Sequence, residues 1–274
     1  LSAQRDDTDM MQAYRRIVGG NRVDGMIVAR TRRNDPRIAY LRSINHPFVV
    51  SGRAAPDETM DFPYIDVDSQ AGIRMMVAHF VDMRHRHIGL ILPPGRVAFT
   101  AYRLNGYREG LDAAGMPYRP AYITHGDLRR QSGYDAACLL LSKNPELTAI
   151  IACNDLMALG AMRAVQERGI EIGKAFAIGG FDDIPGAEHA TPSLTTIRQP
   201  IFNIGERLTR LLLQLIAQEP PAETRILLSP ELVIDFILMA TALLIEHRSL
   251  EESTQSFAVA LSHPITPDWY QTDH

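Results

Sequence analysis

Short apolar runs alternate with amphipathic stretches along most of this chain of 274 residues. The apolar runs lack the strict alternation of half-exposed strands, so each is predicted to be a buried strand of a parallel sheet. They cover residues 23–29, 48–50, 88–92, 148–152 and 176–179. Helical spacing of apolar residues predicts helices over residues 72–82, 102–114, 154–168 and 200–217. The alternation indicates a doubly wound α/β architecture, and the length indicates two lobes.

Composition and charge restrict the classes of function. The hydrophobic fraction of 46% indicates a packed globular protein, and the net charge of −4 gives no sign that this stretch grips nucleic acid by itself. Its longest apolar run, residues 236–245, is about half the roughly 20 residues that cross a bilayer. Residues 1–10 do not resemble a secretory signal, and we expect no membrane partner. Cys138 and Cys153 are expected to be buried apolar residues of a cytoplasmic protein.

Polar and charged residues gather where the predicted strands end. They are Arg30, Arg53, Asp68, Asn154, Asp155, Asp182 and Asp183. Ligands of doubly wound sheets bind beyond these ends, and carboxylates with guanidinium groups suit a hydroxyl-rich ligand. Simpler roles stay open: Asp155 can cap the helix that follows, and Asp182 or Asp183 can cap a turn. Arg53 can be a solvated loop charge.

Motifs of phosphate binding and nucleophilic catalysis are missing from the sequence. There is no Gly-x-Gly-x-x-Gly loop, no Gly-Lys-Ser/Thr loop and no Gly-x-Ser-x-Gly elbow. The close histidines His85 and His87 fall in a basic turn that we expect to be solvated rather than metal-binding. The acid pairs Asp66 with Asp68 and Asp182 with Asp183 lack a nucleophile beside them. The sequence therefore predicts neither an enzyme nor a metal or cofactor site.

Several sequence motifs follow one another along the chain. They are VDGMIV at 23–28, V-D-x-x-x-G at 67–72, HF followed by HIGLI at 79–91, RLNGY at 103–107, GY at 133–134, ACNDLMALGA at 152–161, GFDDIP at 180–185 and PSLTTIRQP at 192–200. In this order and at this spacing, they resemble the motifs of the LacI (lactose-repressor) family of transcription regulators. The resemblance covers roughly residues 6–234. It implies two α/β lobes of the periplasmic-binding-protein-like type, joined by three crossovers, with the ligand between them.

The resemblance also implies lobe boundaries and site residues. The N-terminal lobe is expected over 1–67 plus 199–227 and the C-terminal lobe over 68–198 plus 228–235. The crossovers are expected near residues 67–68, 198–199 and 227–229. The expected ligand-binding residues are Arg103, Asp182, Asn154, Gln199, Arg53, Phe99 and Leu128.

Three departures from the family pattern bear on these expectations. An aromatic residue is usual at the position of Leu128, where it would stack on a sugar ring. No helix-turn-helix or hinge helix precedes the lobes, and the chain is expected to begin after the first strand and helix, with Leu1 at the tail of the second strand and an exposed sheet edge. The match stops at Asp235, which leaves 236–274 as an atypical tail.

The resemblance implies a sensor of a small-molecule effector, expected to be a sugar, in a homodimeric cytoplasmic regulator. Ligand would shift lobe closure and so control operator DNA binding through a helix-turn-helix absent from this chain. The alternative is a solute-binding protein of a sugar transporter, which shares the fold. An enzyme on a similar scaffold is the third class, and it lacks a nucleophile or metal set here.

Overall fold

Two parallel sheets organise the chain in the computed structural model, which describes residues 7–173 and 175–234. The strands are β1 (Met26–Ala29), β2 (Phe48–Ser51), β3 (Tyr64–Val67), β4 (Ile88–Leu92), β5 (Ile123–His125), β6 (Ala149–Ala152), β7 (Ala177–Gly179), β8 (Thr196–Arg198), β9 (Arg225–Leu228) and β10 (Glu231–Val233). The helices are α1 (Asp7–Gly19), α2 (Pro36–Ser43), α3 (Ser69–Asp82), α4 (Phe99–Ala113), α5 (Arg130–Lys143), α6 (Asp155–Gln166), α7 (Pro185–Glu188) and α8 (Ile201–Ile216), with a 3₁₀ turn at Pro120–Tyr122.

The first lobe is built on a sheet with strand order β1-β2-β3-β9, in which every pairing is parallel. Alternate residues of its strands point to opposite faces. Val28 and Val50 pack with Leu41 of α2 on one face, whereas Val49 packs with Leu208 of α8 on the other. Burial on both faces explains why the sequence of β2 shows no polar alternation.

The second lobe is built on a parallel sheet with strand order β5-β4-β6-β7. Ile91 and Ile150 belong to the core under α5 and α6, and Leu90 and Ile151 belong to the core under α3 and α4. An antiparallel pair of β8 and β10 adjoins β7 through the bridge between Gly179 and Thr195. The chain passes between the lobes three times, after β3, β8 and β9, which gives the predicted α/β fold with three crossovers.

Four local predictions from the sequence concern Pro200, the histidine turn before β4, the sheet edge and the two ends of the chain. Pro200 stands at the N-cap of α8 rather than in its first turn. Burial lowers the pKa of His85 to about 4, and His87 Nδ1 lies 2.8 Å from the Tyr122 hydroxyl, so the prediction of a solvated turn was wrong. β1 stands at one edge of its sheet within the described strands, with Ile27 43% exposed. The predictions for Leu1 and for 236–274 fall outside the described residues. None of the described helices is long and apolar enough to span a bilayer.

Glycines set the distance between the paired helices of the second lobe. A Cβ on Gly106 of α4 would lie 2.1 Å from the backbone oxygen of Gln70 in α3, and one on Gly160 of α6 would lie 2.0 Å from that of Arg130 in α5. No side chain fits at such distances, so the backbones of each pair cross in direct contact. This close approach fixes the start of α4 and of α6, which both face the cleft between the lobes.

We expect Gly160→Ala to destabilise the protein by about 1–3 kcal/mol or more, because the new methyl group forces α5 and α6 apart. Gly205→Ala is the matched control, since Gly205 lies exposed in α8 with nothing within 4 Å of its would-be Cβ. It should stabilise the protein by about 0.5–1 kcal/mol through higher helix propensity. Urea unfolding followed by circular dichroism measures both, and equal midpoints for the two variants would contradict the close-contact account.

Candidate functional site

A cavity of about 380 Å³ lies between the two lobes, where the carboxyl ends of the parallel strands of both sheets meet. The volume falls within the range of about 300–1,000 Å³ that is usual for small-molecule sites. All seven residues predicted to bind ligand line this one cavity: Arg53, Phe99, Arg103, Leu128, Asn154, Asp182 and Gln199. The structure therefore brings together side chains that are separated by up to 146 positions in the sequence.

Arg53 forms the wall on the side of the first lobe. Its Nε donates to Oδ2 of Asp66 on β3 at 2.8 Å, and its side chain is 10% exposed, so the alternative of a solvated loop charge was wrong. The guanidinium lies 4.0 Å from the ring centre of Tyr102, which belongs to α4 of the second lobe. Burial raises the pKa of Asp66, and the charge of Arg53 opposes this shift. The pair is thus a partly dry charge pair on a ligand-facing wall.

Arg103 forms the floor on the side of the second lobe. Its guanidinium carbon lies 3.8 Å from the ring centre of Phe181 and 4.3 Å from that of Phe99, and the residue is 5% exposed. Its Nε is buried and has no hydrogen-bond acceptor among the described residues. Two aromatic faces therefore hold a cation whose Nε has no acceptor.

Asp182 faces Arg103's side of the cavity from the loop after β7. Its Oδ1 accepts a hydrogen bond of 2.6 Å from Nε2 of Gln199, which follows β8. Burial raises the pKa of Asp182 to about 6, while the charges of Arg103 and Arg30 act against this shift. The carboxylate is therefore ionised at neutral pH but close to its titration, and it retains acceptor capacity towards the cavity.

Asn154 is held by two structural hydrogen bonds. Its Oδ1 accepts from the backbone N of Met157 and caps α6, and its Nδ2 donates to the backbone oxygen of Leu128 at 3.0 Å. Asn154 and not Asp155 is thus the helix cap. Only one N–H of its amide remains for a ligand, which makes it a weaker candidate contact than Arg103 or Asp182.

Asp155 instead joins three segments behind the cavity. It is fully buried, and it accepts hydrogen bonds from the hydroxyl of Thr196 at 2.5 Å and from the backbone N of Ile184 at 2.8 Å. Burial raises its pKa. These bonds fix the loop that carries Asp182 against the start of α6 and against β8.

Unusual backbone conformations cluster on the cavity wall. Arg30, Leu128 and Asp182 have φ of 54°, 73° and 120°, a region that side chains with a Cβ rarely adopt. Strain of this kind persists where the surrounding structure enforces it, and it gathers at ligand sites. In the described part of the chain, no group of three or more His, Cys, Asp or Glu residues is arranged to hold a metal ion.

Comparison with known proteins identifies the family. Residues 77–234 match the family described as periplasmic binding protein-like domain. The regulator CelR of Thermobifida fusca is 34% identical over 219 residues, which cover 79% of this chain and 64% of CelR. A regulatory protein of the LacI family from Chloroflexus aggregans superposes with a TM-score of 0.77 at 36% identity, covering 85% of this chain and 83% of that one. The complex of CelR with cellobiose superposes with a TM-score of 0.80 at 32% identity, covering 84% and 70%.

The chain belongs to the LacI family of transcription regulators. It spans 64% of the length of CelR. The sequence resemblance and the predicted fold class are both confirmed. The seven LacI-type site residues stay a prediction, because their position around one cavity does not by itself show binding.

Sequence reasoning missed some residues of this LacI-family cavity. Tyr102 directly precedes Arg103 in α4, and its hydroxyl donates to the backbone oxygen of Ala54 in the other lobe at 3.0 Å. Asp66 was considered for a metal ion, whereas the structure pairs it with Arg53. Arg30 follows β1 and was noted for that reason, and it does line the cavity. The sequence signal available for Tyr102 was its position directly before the candidate residue Arg103.

The raised pKa of Asp182 predicts a pH dependence of stability in the free protein. A carboxyl that binds its proton more tightly when folded stabilises the protein at low pH, and this contribution is lost as pH rises from about 4 to about 6. Asp182→Asn stays neutral, so the variant should gain stability relative to wild type between pH 4.5 and 7.5. Denaturant unfolding at both values measures this difference.

Asp112→Asn serves as the control, because Asp112 is exposed on α4. Its stability difference from wild type should not change over the same pH range. A difference for Asp182→Asn that is equally flat would contradict the burial of an ionised carboxylate at this site.

Proposed function

We propose that this chain is the effector-sensing part of a LacI-type transcription regulator and that it binds a small polar molecule, a sugar, in the cavity between its lobes. The observation that carries the proposal is the cavity itself, in which a buried guanidinium with an open donor and a buried carboxylate with open acceptor capacity belong to one wall. The CelR–cellobiose complex among the similar structures supports a sugar as the ligand class.

The polar residues divide the recognition of a sugar between them. The Asp182 carboxylate accepts hydrogen bonds from hydroxyl groups, and Arg103 donates to ring or hydroxyl oxygens. Gln199 and Asn154 supply further amide contacts. Phe99 and Leu128 provide apolar surface for the C–H faces of the ring. Arg53 completes the wall from the first lobe.

A ligand in this cavity contacts both lobes and therefore favours the arrangement in which both walls reach it. Such coupling works only through a difference in affinity between two lobe arrangements. We propose the lobe boundaries 1–67 with 199–227 and 68–198 with 228–235. In the whole protein, the change in lobe angle would act on operator DNA through an N-terminal helix-turn-helix, in a cytoplasmic homodimer without a cofactor.

A solute-binding protein of a transporter remains the rival on the same fold, and an enzyme is a further one. The similar proteins named above are transcription regulators, which favours the regulator over both. Sedimentation of the whole protein separates the two binding classes, since the regulator is expected to be a dimer and the transporter component a monomer. Absence of any turnover of bound sugar would support a non-enzymatic role.

The direct test is a thermal melt against mono- and disaccharides, sugar phosphates and purines. We expect one sugar class to raise the melting temperature of the wild type, since binding to the native state alone stabilises it. Asp182→Ala should weaken this ligand about 10–150-fold, the loss expected for a hydrogen bond to a charged group worth about 1.5–3 kcal/mol.

Asp112→Ala is the matched control, because it removes an exposed carboxylate of α4 outside the cavity lining. It should respond to the ligand as the wild type does. A purine-specific response would exclude the sugar while keeping the sensor, and a ligand that acts equally on Asp182→Ala would place the binding site elsewhere.

A further inference from the structure

Arginines outnumber acids on the cavity wall. Arg30, Arg53 and Arg103 line it, against Asp66 and Asp182. The wall therefore carries a net positive charge even when both carboxyls are ionised, although the chain as a whole has a net charge of −4. Local excess of one sign in a recessed, partly dry site strengthens the field on anything that enters it.

Ion pairing differs among the three arginines, and the excess positive charge of the wall lies on two of them. Arg53 is neutralised by Asp66 at 2.8 Å. Among the ion pairs of the described residues, none involves Arg103, Arg30 or Asp182. Asp182 is held by the neutral amide of Gln199 instead. Arg103 and Arg30 thus form no direct ion pair with a carboxylate of the described residues, although their charges act on Asp182.

Two of these arginines also have a hydrogen-bond donor without an acceptor. Nε of Arg103 and Nη2 of Arg53 are both buried without an acceptor among the described residues. An unsatisfied donor on a buried charged group costs more than one on a neutral group. A planar guanidinium is suited to a pair of oxygens that share one negative charge.

Arg30 stands where an anionic group could enter. It is exposed at the end of β1, and its backbone has φ 54°, a conformation that its Cβ disfavours. Its charge acts on the buried carboxyl of Asp182, as the charge of Arg103 does, so both cations lie close to the same part of the cavity. Both arginines line the cavity, Arg30 exposed on the first lobe and Arg103 buried on the second.

We infer that the effector is an acidic sugar derivative, whose carboxylate or phosphate group is bound by the guanidinium groups of Arg103 and Arg30. The inference rests on the proposed function and narrows its ligand class. The sugar hydroxyls still bind Asp182, and the oxyanion offsets the positive excess of the wall. A neutral sugar would leave the positive excess of the cavity uncompensated.

The test compares matched ligands by isothermal titration with the wild type. Hexoses, pentoses and disaccharides are each measured as the neutral sugar, the uronic or aldonic acid and the phosphate monoester. For the sugar that binds, we expect an acidic form to bind at least about tenfold more tightly than its neutral parent, since one charge-assisted contact is worth about 1.5 kcal/mol or more. Tighter binding of the carboxylate or of the phosphate member identifies the anion.

Arg30→Gln tests the role of the Arg30 charge without burying a new group, because Arg30 is exposed. It should reduce the preference for the acidic form by about 1.5–5-fold, the effect of an exposed charge pair worth about 0.2–1 kcal/mol. Arg74→Gln is the matched control, which removes an exposed arginine of α3 outside the cavity lining and should leave the preference unchanged. The preference of the wild type should also shrink as salt is raised.

The outcomes separate the inference from the function on which it rests. A neutral sugar that binds as tightly as its acidic forms, or more tightly, overturns the inference and leaves the sugar sensor intact. If no member of any series binds, the sugar function fails and the acidic ligand fails with it. Equal loss of preference in Arg30→Gln and Arg74→Gln would show a general effect of net charge and would remove Arg30 from the site.

Discussion

The buried carboxylate of Asp155 holds together the segments on which the cavity depends. It belongs to the first turn of α6, and its two acceptors fix the backbone at Ile184 and the side chain of Thr196. Asp182 lies two residues before Ile184 in the loop after β7, and the strand that contains Thr196 leads to Gln199. Because a fully buried carboxylate is stable only when its oxygens are satisfied, these bonds cannot be exchanged for water without a large cost. The position of the polar wall therefore follows from one residue that does not touch the cavity.

The two lobes are held near each other by contacts that surround the cavity. The backbone N of Ala98 donates to the oxygen of Thr31 at 3.0 Å, and that of Arg33 donates to the oxygen of Arg96 at 2.9 Å. The hydroxyl of Tyr102 reaches across in the same direction. These hydrogen bonds join loops and the start of α4 rather than the two sheets, so they can break without disturbing either core. Lobe motion about the three crossovers is compatible with such an interface.

Strands that are buried on both faces were the part of the fold that the sequence predicted best. The predicted run 88–92 coincides with β4, because every residue of that strand packs under one helix pair or the other. The run at 23–29 begins too early, since β1 starts only at Met26. β9 and β10 were not predicted as strands, and their residues are exposed or half-buried rather than buried on both faces.

Helices without a clear apolar stripe were also missed. α2 is only eight residues long, and the signal for it was its start, where Asp35 caps the helix and Pro36 occupies the first turn. For the site, the motifs led to seven residues that do share one cavity. The motifs could not indicate which side chains form ion pairs. Arg53 pairs with Asp66, whereas Arg103 forms no direct ion pair with Asp182 among the described residues. These distances are not encoded by any spacing in the sequence.

Arg103 shows how a ligand site can hold a charge that the protein itself leaves unsatisfied. The rings of Phe99 and Phe181 stabilise the cation by about 0.5–2 kcal/mol each, which offsets part of its burial cost but does not satisfy the buried Nε. The rest of the free-energy cost of burying this guanidinium remains in the protein without ligand, and a ligand in the cavity can reduce it. Binding there is favourable only when the opposite wall of the cavity is close enough to enclose the ligand. A buried cation with open donors therefore gives the ligand its influence over the angle between the lobes.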